Sequence, residues 1–325
     1  VGRQLKELRA GVIIIPLLFS SFFANGQAQV PLETLELSAE HAEKFGRLLV
    51  QDMDGRIKPL NTLSSEFLRK MTRKTSYQLS DSTGSVSLTS DQVFLSIHQN
   101  PIVWQVMPLI KIDQDKGAGI FTQLSIEPVE MFSFRDLLTL EGDYKMRLLA
   151  EMAQRKKPAA RSEFDNEILK VDERFNILFQ ALSGNYLKIF PLKDHPENKW
   201  FDNNFMNAGF SDEDSLFVRN VLMSYYTELS NAQSSGDYTE ADDLLLYIKT
   251  FQDTMGSAVA PPVSRVDAEI LYNEVNLFNR IWPFFWLIGI YLLVIAILKV
   301  FAKASWLKTG YKIGVGLTGF TFLLL

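Results

Sequence analysis

An uncharged, mostly apolar run extends from Ile281 to Leu298 and continues across a single Lys299 to Phe301. A hydrocarbon layer about 30 Å thick takes roughly 20 helical residues, and this stretch supplies that length. Trp282, Phe284, Phe285 and Trp286 crowd its first turns, where amphipathic rings favour a membrane–water boundary. Pro283 falls in the same first turn, where a missing N–H costs little. Lys299, Lys303, Lys308 and Lys312 follow, and Lys299 can reach the headgroups while its methylenes stay in the apolar layer. The positive-inside rule predicts that these lysines face the cytoplasm and that everything before Arg280 lies outside. The core helix of a soluble protein is a poor alternative, because the run is too long and too evenly apolar.

Two further apolar stretches bracket the chain. RQLKELR precedes AGVIIIPLLFSSFFA, which ends at Ala24, so positive charge again comes before an apolar run that exits outward. This stretch reads either as a short span or as a leader with a small-residue cleavage site at Gly26-Gln27-Ala28. At the other end, IGVGLTGFTFLLL begins a further apolar run, and the chain is expected to be a piece of a longer protein. The predicted division is residues 1–28 as an N-terminal transmembrane or signal-anchor segment and 30–262 as a periplasmic, mainly helical domain. Residues 263–301 read as a juxtamembrane helix continuous with the transmembrane helix, 302–312 as a cytoplasmic loop, and 313–325 as the start of another transmembrane helix. The fold class is mainly α with a few short strands, a membrane protein whose helical spans flank a large extracytoplasmic domain in the cytoplasmic membrane.

The intervening segment is long enough to bury a proper core. A net charge of −5, with no strongly basic stretch outside the membrane flanks, argues against nucleic acid as a partner. The chain has no cysteine, which excludes a disulfide framework, a CxxC redox site and a CxxCH haem attachment site.

GRLLVQ, DMDG and RIKPL read as a β-hairpin, and the Asp52-x-Asp54-Gly55 turn lacks the further ligands of a calcium loop. Asn61 or Thr62 is expected to cap a helix with Leu63, Phe67, Leu68 and Met71 on one face. TSYQLSDSTGSVSLT reads as a polar linker, Ser90 or Asp91 as the next helix start, and Gly117 and Gly119 as a loop. A helical stretch around Tyr144 to Gln154 and a long helix from Glu163 to Leu182, closing at Gly184, come next, and YLKIFPL is a predicted strand. Ser211 with Asp214 resembles a capping box ahead of a stripe of Phe217, Val218, Val221, Leu222, Tyr225 and Leu229. Thr239 with Asp242 restarts the chain as the second arm of an αα-hairpin, its apolar positions at Leu244, Ile248, Phe251 and Met255. Ser264 with Asp267 is expected to cap the last outer helix.

Chemistry is sparse. Gly314, Gly316 and Gly319 spell GxGxxG, but with membrane-type neighbours they read as small residues for close helix packing. His41, His98 and His195 match no zinc spacing and read as surface or loop residues, and the acidic groups at Asp212–Asp214 and Asp242-Asp243 as first-turn charges favoured by the helix dipole. No nucleophile elbow, P-loop or HExxH is present.

Several strings carry a likeness of their own: HAEKFGRLLVQDMDGRIKPLNTLSSEFLRKMTRK, SDQVFL with WQVMPLIKI, KVDERFNI with YLKIFPL, and LYNEVNLFNRIWPFFWLIGIYLL. In this order, over nearly all of the chain, they resemble the fused cytochrome c biogenesis protein of the Bacteroidetes type, the ResB–CcsA (CcsBA) family of System II cytochrome c synthases. The resemblance implies a protein that carries haem across the cytoplasmic membrane and promotes its attachment to apocytochromes. It implies haem, apocytochrome c, the lipid membrane and the remaining ResB-like and CcsA-like membrane parts as partners, with the haem site outside this chain. The family's haem-handling tryptophan-rich segment and membrane histidines find no match here, since there is no Trp-Trp pair and no histidine in an apolar run. No catalytic, cofactor-binding or metal residue is therefore carried over, and enzymatic activity of this chain stays open. An extracytoplasmic sensor or ligand-binding module, signalling through the helix into the membrane, is the second reading.

Overall fold

The computed structural model describes residues 35–80, 84–124, 126–204, 209–302 and 304–324. The expected segment 1–28 lies outside the described residues, as does Lys303. Helices dominate, with a few short strands, as the sequence predicts.

Helix α1, Ala39–Gly46, opens the body. Strands β1, Leu49–Gln51, and β2, Ile57–Pro59, form the expected antiparallel hairpin. The Asp52 carboxylate accepts from the amides of Asp54 and Arg56 at 3.0 and 2.9 Å, so the acidic pattern serves the turn. Helix α2, Leu60–Thr72, buries Leu63, Phe67, Leu68 and Met71 on its inner face. Its cap is Pro59 rather than Asn61 or Thr62; proline presets the φ of the turn, and the two polar side chains lie buried in the first turn, free for other partners.

The segment read as a polar linker is a second hairpin, β3, Ser76–Ser80, against β4, Ser85–Thr89. Tyr77, Leu79 and Leu88 face the core at period two while serines and glutamine face water. A capping box from Thr89 and Gln92 starts α3, Ser90–Gln99, at the first of the two expected positions. Short helix α4, Pro101–Trp104, and strand β5, Ile110–Lys111, lead to α5, Ala118–Leu124, where a loop was expected. Gly119 lies against Phe164, and a Cβ there would sit 2.7 Å from the ring, so this glycine admits a neighbour rather than making a turn. Strand β6, Met131–Phe132, pairs with β5.

Helix α6, Arg147–Arg155, packs on α7, Glu163–Leu182, whose bounds are those the sequence predicts. Ser162 and Asp165 form its capping box. Of YLKIFPL, only β7, Phe190–Pro191, is strand, paired with β8, Trp200–Phe201. Helices α8, Asp212–Ser235, and α9, Thr239–Met255, make the αα-hairpin, with Gly236 at φ 79° closing the first. Leu245 rather than Leu244 is buried on α9 beside Ile248. One core runs through these elements, from Phe45, Phe67, Phe94 and Trp104 through Val171 and Leu178 to Tyr225, Leu229 and Ile248.

A smaller apolar cluster holds the last outer helix, α10, Val263–Val275, against the body: Val266 and Ile270 meet Leu49 of β1 and Trp200 of β8. Its N-cap is Pro262, and Asp267 pairs with Arg47 instead of capping with Ser264. The chain then departs from the expected unbroken rod. Asn276 adopts the left-handed conformation, φ 46° and ψ 49°, between α10 and α11, Leu277–Phe301. Asparagine is among the few side chains that tolerate this region, and its amide donates to the Tyr272 carbonyl at 3.2 Å, so α10 ends with a cap of its own. The apolar spacing that suggested continuity survives the break, because it reports burial and not the backbone.

Within α11, Arg280–Phe301 is long and apolar enough to cross a membrane, and of these residues only Ile281 and Ile295 are buried in the structure, unlike a soluble core helix. Helix α12, Ser305–Leu323, begins inside the stretch expected to be a loop, so Lys308 and Lys312 are helical. Leu307 and Gly310 are buried against α11, which draws these residues into the hairpin. Tyr291 donates its hydroxyl to the Gly310 carbonyl at 3.0 Å, and Gly314 abuts Leu292 and Tyr291. Gly316 and Gly319 meet nothing, so close packing explains one of the three fingerprint glycines. Lys299 lies 4.1 Å from the centre of the Tyr311 ring and closes the hairpin's end.

The α10 cluster leaves no room at Gly256, where a Cβ would lie 2.8 Å from both Trp200 and the Gln252 carbonyl and 3.2 Å from Pro191. Gly256→Ala is expected to destabilise the body by about 1–3 kcal/mol, read as a lowered melting temperature, whereas Gly84→Ala, in open space, leaves it unchanged.

Candidate functional site

The three histidines are not alike. His41 on α1 is 1% exposed and His98 on α3 is 8% exposed, so two of the residues expected at the surface are interior. His195 is the loop residue expected, its Nδ1 accepting from the Glu197 amide at 3.1 Å. Both buried rings sit on helix faces whose spacing matches the core, a signal that polar letters in an apolar stripe conceal. Nδ1 of His41 lies 2.7 Å from the Asp242 carboxylate and Nε2 lies 2.9 Å from the Tyr225 hydroxyl. Asp242 also accepts from Lys44 at 2.6 Å, so a residue read as a dipole-favoured first-turn charge is the anchor between α1 and the αα-hairpin. Burial lowers the His41 pKa, with Asp242 opposing the shift, and the neutral ring then donates to the carboxylate and accepts from the tyrosine. His98 donates from Nδ1 to the Phe94 carbonyl at 2.7 Å, its Nε2 is buried without a partner, and burial pushes its pKa down to about 4.

A second polar cluster joins the body to the helix that leads to α11. Asp91 on α3 is 6% exposed, and among the described residues no cation pairs with it. Its carboxylate accepts from the Asn61 amide at 2.8 Å and from the Ser64 hydroxyl. Burial raises its pKa, and these two hydrogen bonds pull the other way. Asn61 passes the contact on: its Oδ1 accepts from Asn273 of α10 at 3.1 Å. Asn273 also donates to Thr62 at 2.9 Å, and the Thr62 hydroxyl donates to Glu269 at 2.8 Å. Arg56 from the first hairpin closes the cluster on Glu269 at 2.7 Å. The side chains expected to cap α2 therefore hold α10. This arrangement positions and transmits: its hydroxyls and carboxylates are committed to one another within the seam, and no metal-binding group of side chains occurs among the described residues.

One flank of α7 carries two adjoining open clefts of about 480 and 660 Å³ that share Arg161, Leu169 and Glu173. Asn166, Asn176, Gln180 and Gln154 contribute amides along the larger opening and its neighbour. At its floor Asp172 is partly buried and its pKa raised by desolvation. Behind the helix the rings of Tyr144, Phe175 and Phe134 stack at 3.9 and 4.5 Å, which stiffens this wall. The clefts are shallow and mixed in charge, suited to a surface contact rather than an enclosed small molecule.

No protein-family model matches the chain. The chain is similar to Protein NrfI of Wolinella succinogenes, with 29% identity over 288 residues that cover 87% of the chain and 30% of that relative's length. This match overturns the assignment to the fused ResB–CcsA synthases drawn from the sequence strings. Short strings of this kind are shared by related families, so they could not discriminate between them.

Two predictions test these clusters. The unfolded chain protonates His98 near its ordinary pKa of 6.5 while the folded chain resists until about 4, so stability is complete above 6.5 and falls as pH drops through that window. His98→Leu should keep the wild-type stability at neutral pH and flatten the acid slope, a gain of about 2–3 kcal/mol near pH 4.5 in denaturant titrations. In a double-mutant cycle, Asn61→Ala and Asn273→Ala should couple by about 0.5–1.5 kcal/mol, since the two amides share a hydrogen bond.

Proposed function

We propose that this chain serves c-type cytochrome maturation as the outer body and first membrane helices of a larger membrane protein. The observation that carries the reading is the match to NrfI, which covers 87% of this chain. Because the chain spans 30% of that relative's length, the activity of the whole protein is part of the proposal. In this reading α11 crosses the cytoplasmic membrane, the lysines after it face the cytoplasm, and the body stands in the periplasm, where a cysteine-free surface offers no thiol to compete with those of an apocytochrome.

Haem is the cargo of the pathway and apocytochrome c its recipient. The described residues do not fit haem ligation: His41 has both ring nitrogens engaged, the free Nε2 of His98 is sealed in the core, and His195 sits in an exposed polar loop. Haem handling and thioether formation therefore belong, in this proposal, to other parts of the full-length protein, and the body acts as the element that holds its geometry. The sensor reading is less well supported, because the clefts are open and the helix that would carry a signal is interrupted at Asn276.

Deleting residues 60–260 from the intact protein should abolish covalent haem on reporter cytochromes while the membrane helices still insert. Normal cytochrome levels in cells carrying that deletion would overturn the reading.

A further inference from the structure

Helix α10 has two unlike faces. Val266, Ile270, Glu269 and Asn273 are committed to the body by the contacts above. The opposite face starts polar, with Ser264 and Arg265, and ends mainly apolar, with Leu271 and Tyr272 at 59% and 56% exposure, Val275 half-buried beside them and Glu274 exposed on the flank. Ala268, Leu271 and Val275 recur at three- and four-residue steps on this outward side. The grading points one way, toward the end of the helix that joins α11.

Length fixes the depth of that end. The uncharged run Ile281–Leu298 rises about 27 Å at 1.5 Å per residue, which nearly fills a hydrocarbon layer of about 30 Å. Arg280 then marks the boundary, and Asn276 lies about 6 Å further out. The headgroup region on each side is about 5–8 Å deep, so the last turn of α10 lies at its level. A straight rod would carry Leu271 away along the membrane normal. The left-handed Asn276 ends the α10 axis before α11 begins and so permits α10 to leave that normal.

We infer that the outward face of α10, centred on Leu271, Tyr272 and Val275, is seated in the bilayer interface, so that the body rests on the membrane through a fixed helix face as well as through its covalent link to α11. The occupant is lipid. Leucine and valine remove apolar area from water at the headgroup boundary, and tyrosine places its ring there with its hydroxyl still wet. Because the other face of the same helix is bound to the body through the Val266–Ile270 cluster and the Asn273–Asn61 hydrogen bond, the interface contact sets the attitude of the whole body over the membrane. The inference rests on the membrane reading of α11.

The absence of native cysteine makes the test direct. The full chain carrying Leu271→Cys, Ser264→Cys or Ile290→Cys, each labelled with an environment-sensitive fluorophore, is placed in nanodiscs containing lipid quenchers at a shallow or a deep position. Variants are used only where the melting temperature matches wild type. The expected result is that the Leu271 probe is quenched about twofold more by the shallow label than by the deep one, that the Ser264 probe responds mainly to aqueous iodide, and that Ile290 responds to the deep label. A Leu271 probe as open to iodide as the Ser264 probe, with Ile290 in lipid, overturns this inference and leaves the membrane reading standing. A Leu271 probe shielded from iodide and from both lipid labels also overturns it, because a protein surface then covers the face. Iodide access at Ile290 would overturn the membrane reading itself.

Discussion

One side-chain amide, that of Asn61, links the interior of the body to α10, the helix that leads to the long apolar helix α11. Its nitrogen donates to a buried carboxylate that no cation pairs with among the described residues, and its oxygen accepts from Asn273 of α10. An amide can do both at once, since it carries a donor and an acceptor on one rigid plane. Asp91 would otherwise be a costly interior charge, and Asn61 and Ser64 offset part of that cost. The body tolerates this because α1, α2 and α3 converge there: Gly46 passes so close that a Cβ would lie 2.5 Å from the Asp91 carboxylate. The same close approach that seals the charge orients the Asn61 plane outward, toward α10.

Around that link the apolar and polar contributions divide the work. Val266 and Ile270 against Leu49 and Trp200 remove area from water but do not specify a register. The hydrogen bonds among Asn273, Thr62, Glu269 and Arg56 do specify it, because a shift of one residue would leave them unpaired in a half-buried seam. Gln252 completes the frame from the other side. Its wholly buried amide accepts from the Leu49 N–H at 3.0 Å and donates to the Leu49 and Ile189 carbonyls at 2.8 and 2.9 Å, standing in for a missing strand at the edge of β1. A body whose strands are only two to five residues long depends on such side-chain substitutes for a sheet.

The parts legible from sequence are those where one physical signal dominates. Helix α7 announces both ends, with Ser162 and Asp165 at the start and Gly184 past the finish, and the hairpins β1–β2 and α8–α9 carry turn residues between regular stripes. Elsewhere two signals compete. In β3–β4, three buried apolar residues alternate with serines that mimic a linker, and the strand pairing that turns them inward is not local. Asp242 and Asn61 each fit a local role near a helix start, yet each is taken by a partner far away in sequence: His41 and Lys44 for the first, Asp91 and Asn273 for the second. Periodicity cannot register this, because it reports which face is buried and not what a polar atom finds there. The family-level error has the same form: strings shared by related proteins identify what they have in common, and only a comparison over the whole stretch separates them.

The break at Asn276 changes how the body is joined to the long apolar helix α11. A continuous helix from α10 into α11 would make the body's orientation follow that of α11. A left-handed residue between two capped helices removes that constraint at one position while leaving α10 bound to the body on one side. The body's attitude must then be fixed by something other than the rod, and the exposed Leu271 and Tyr272 lie on the one face of α10 that the body leaves free. Rigidity within the body and freedom at a single backbone position are complementary, because a well-packed seam moves as a unit and transfers any restraint on α10 to every element that Asn61, Trp200 and Gln252 hold in place.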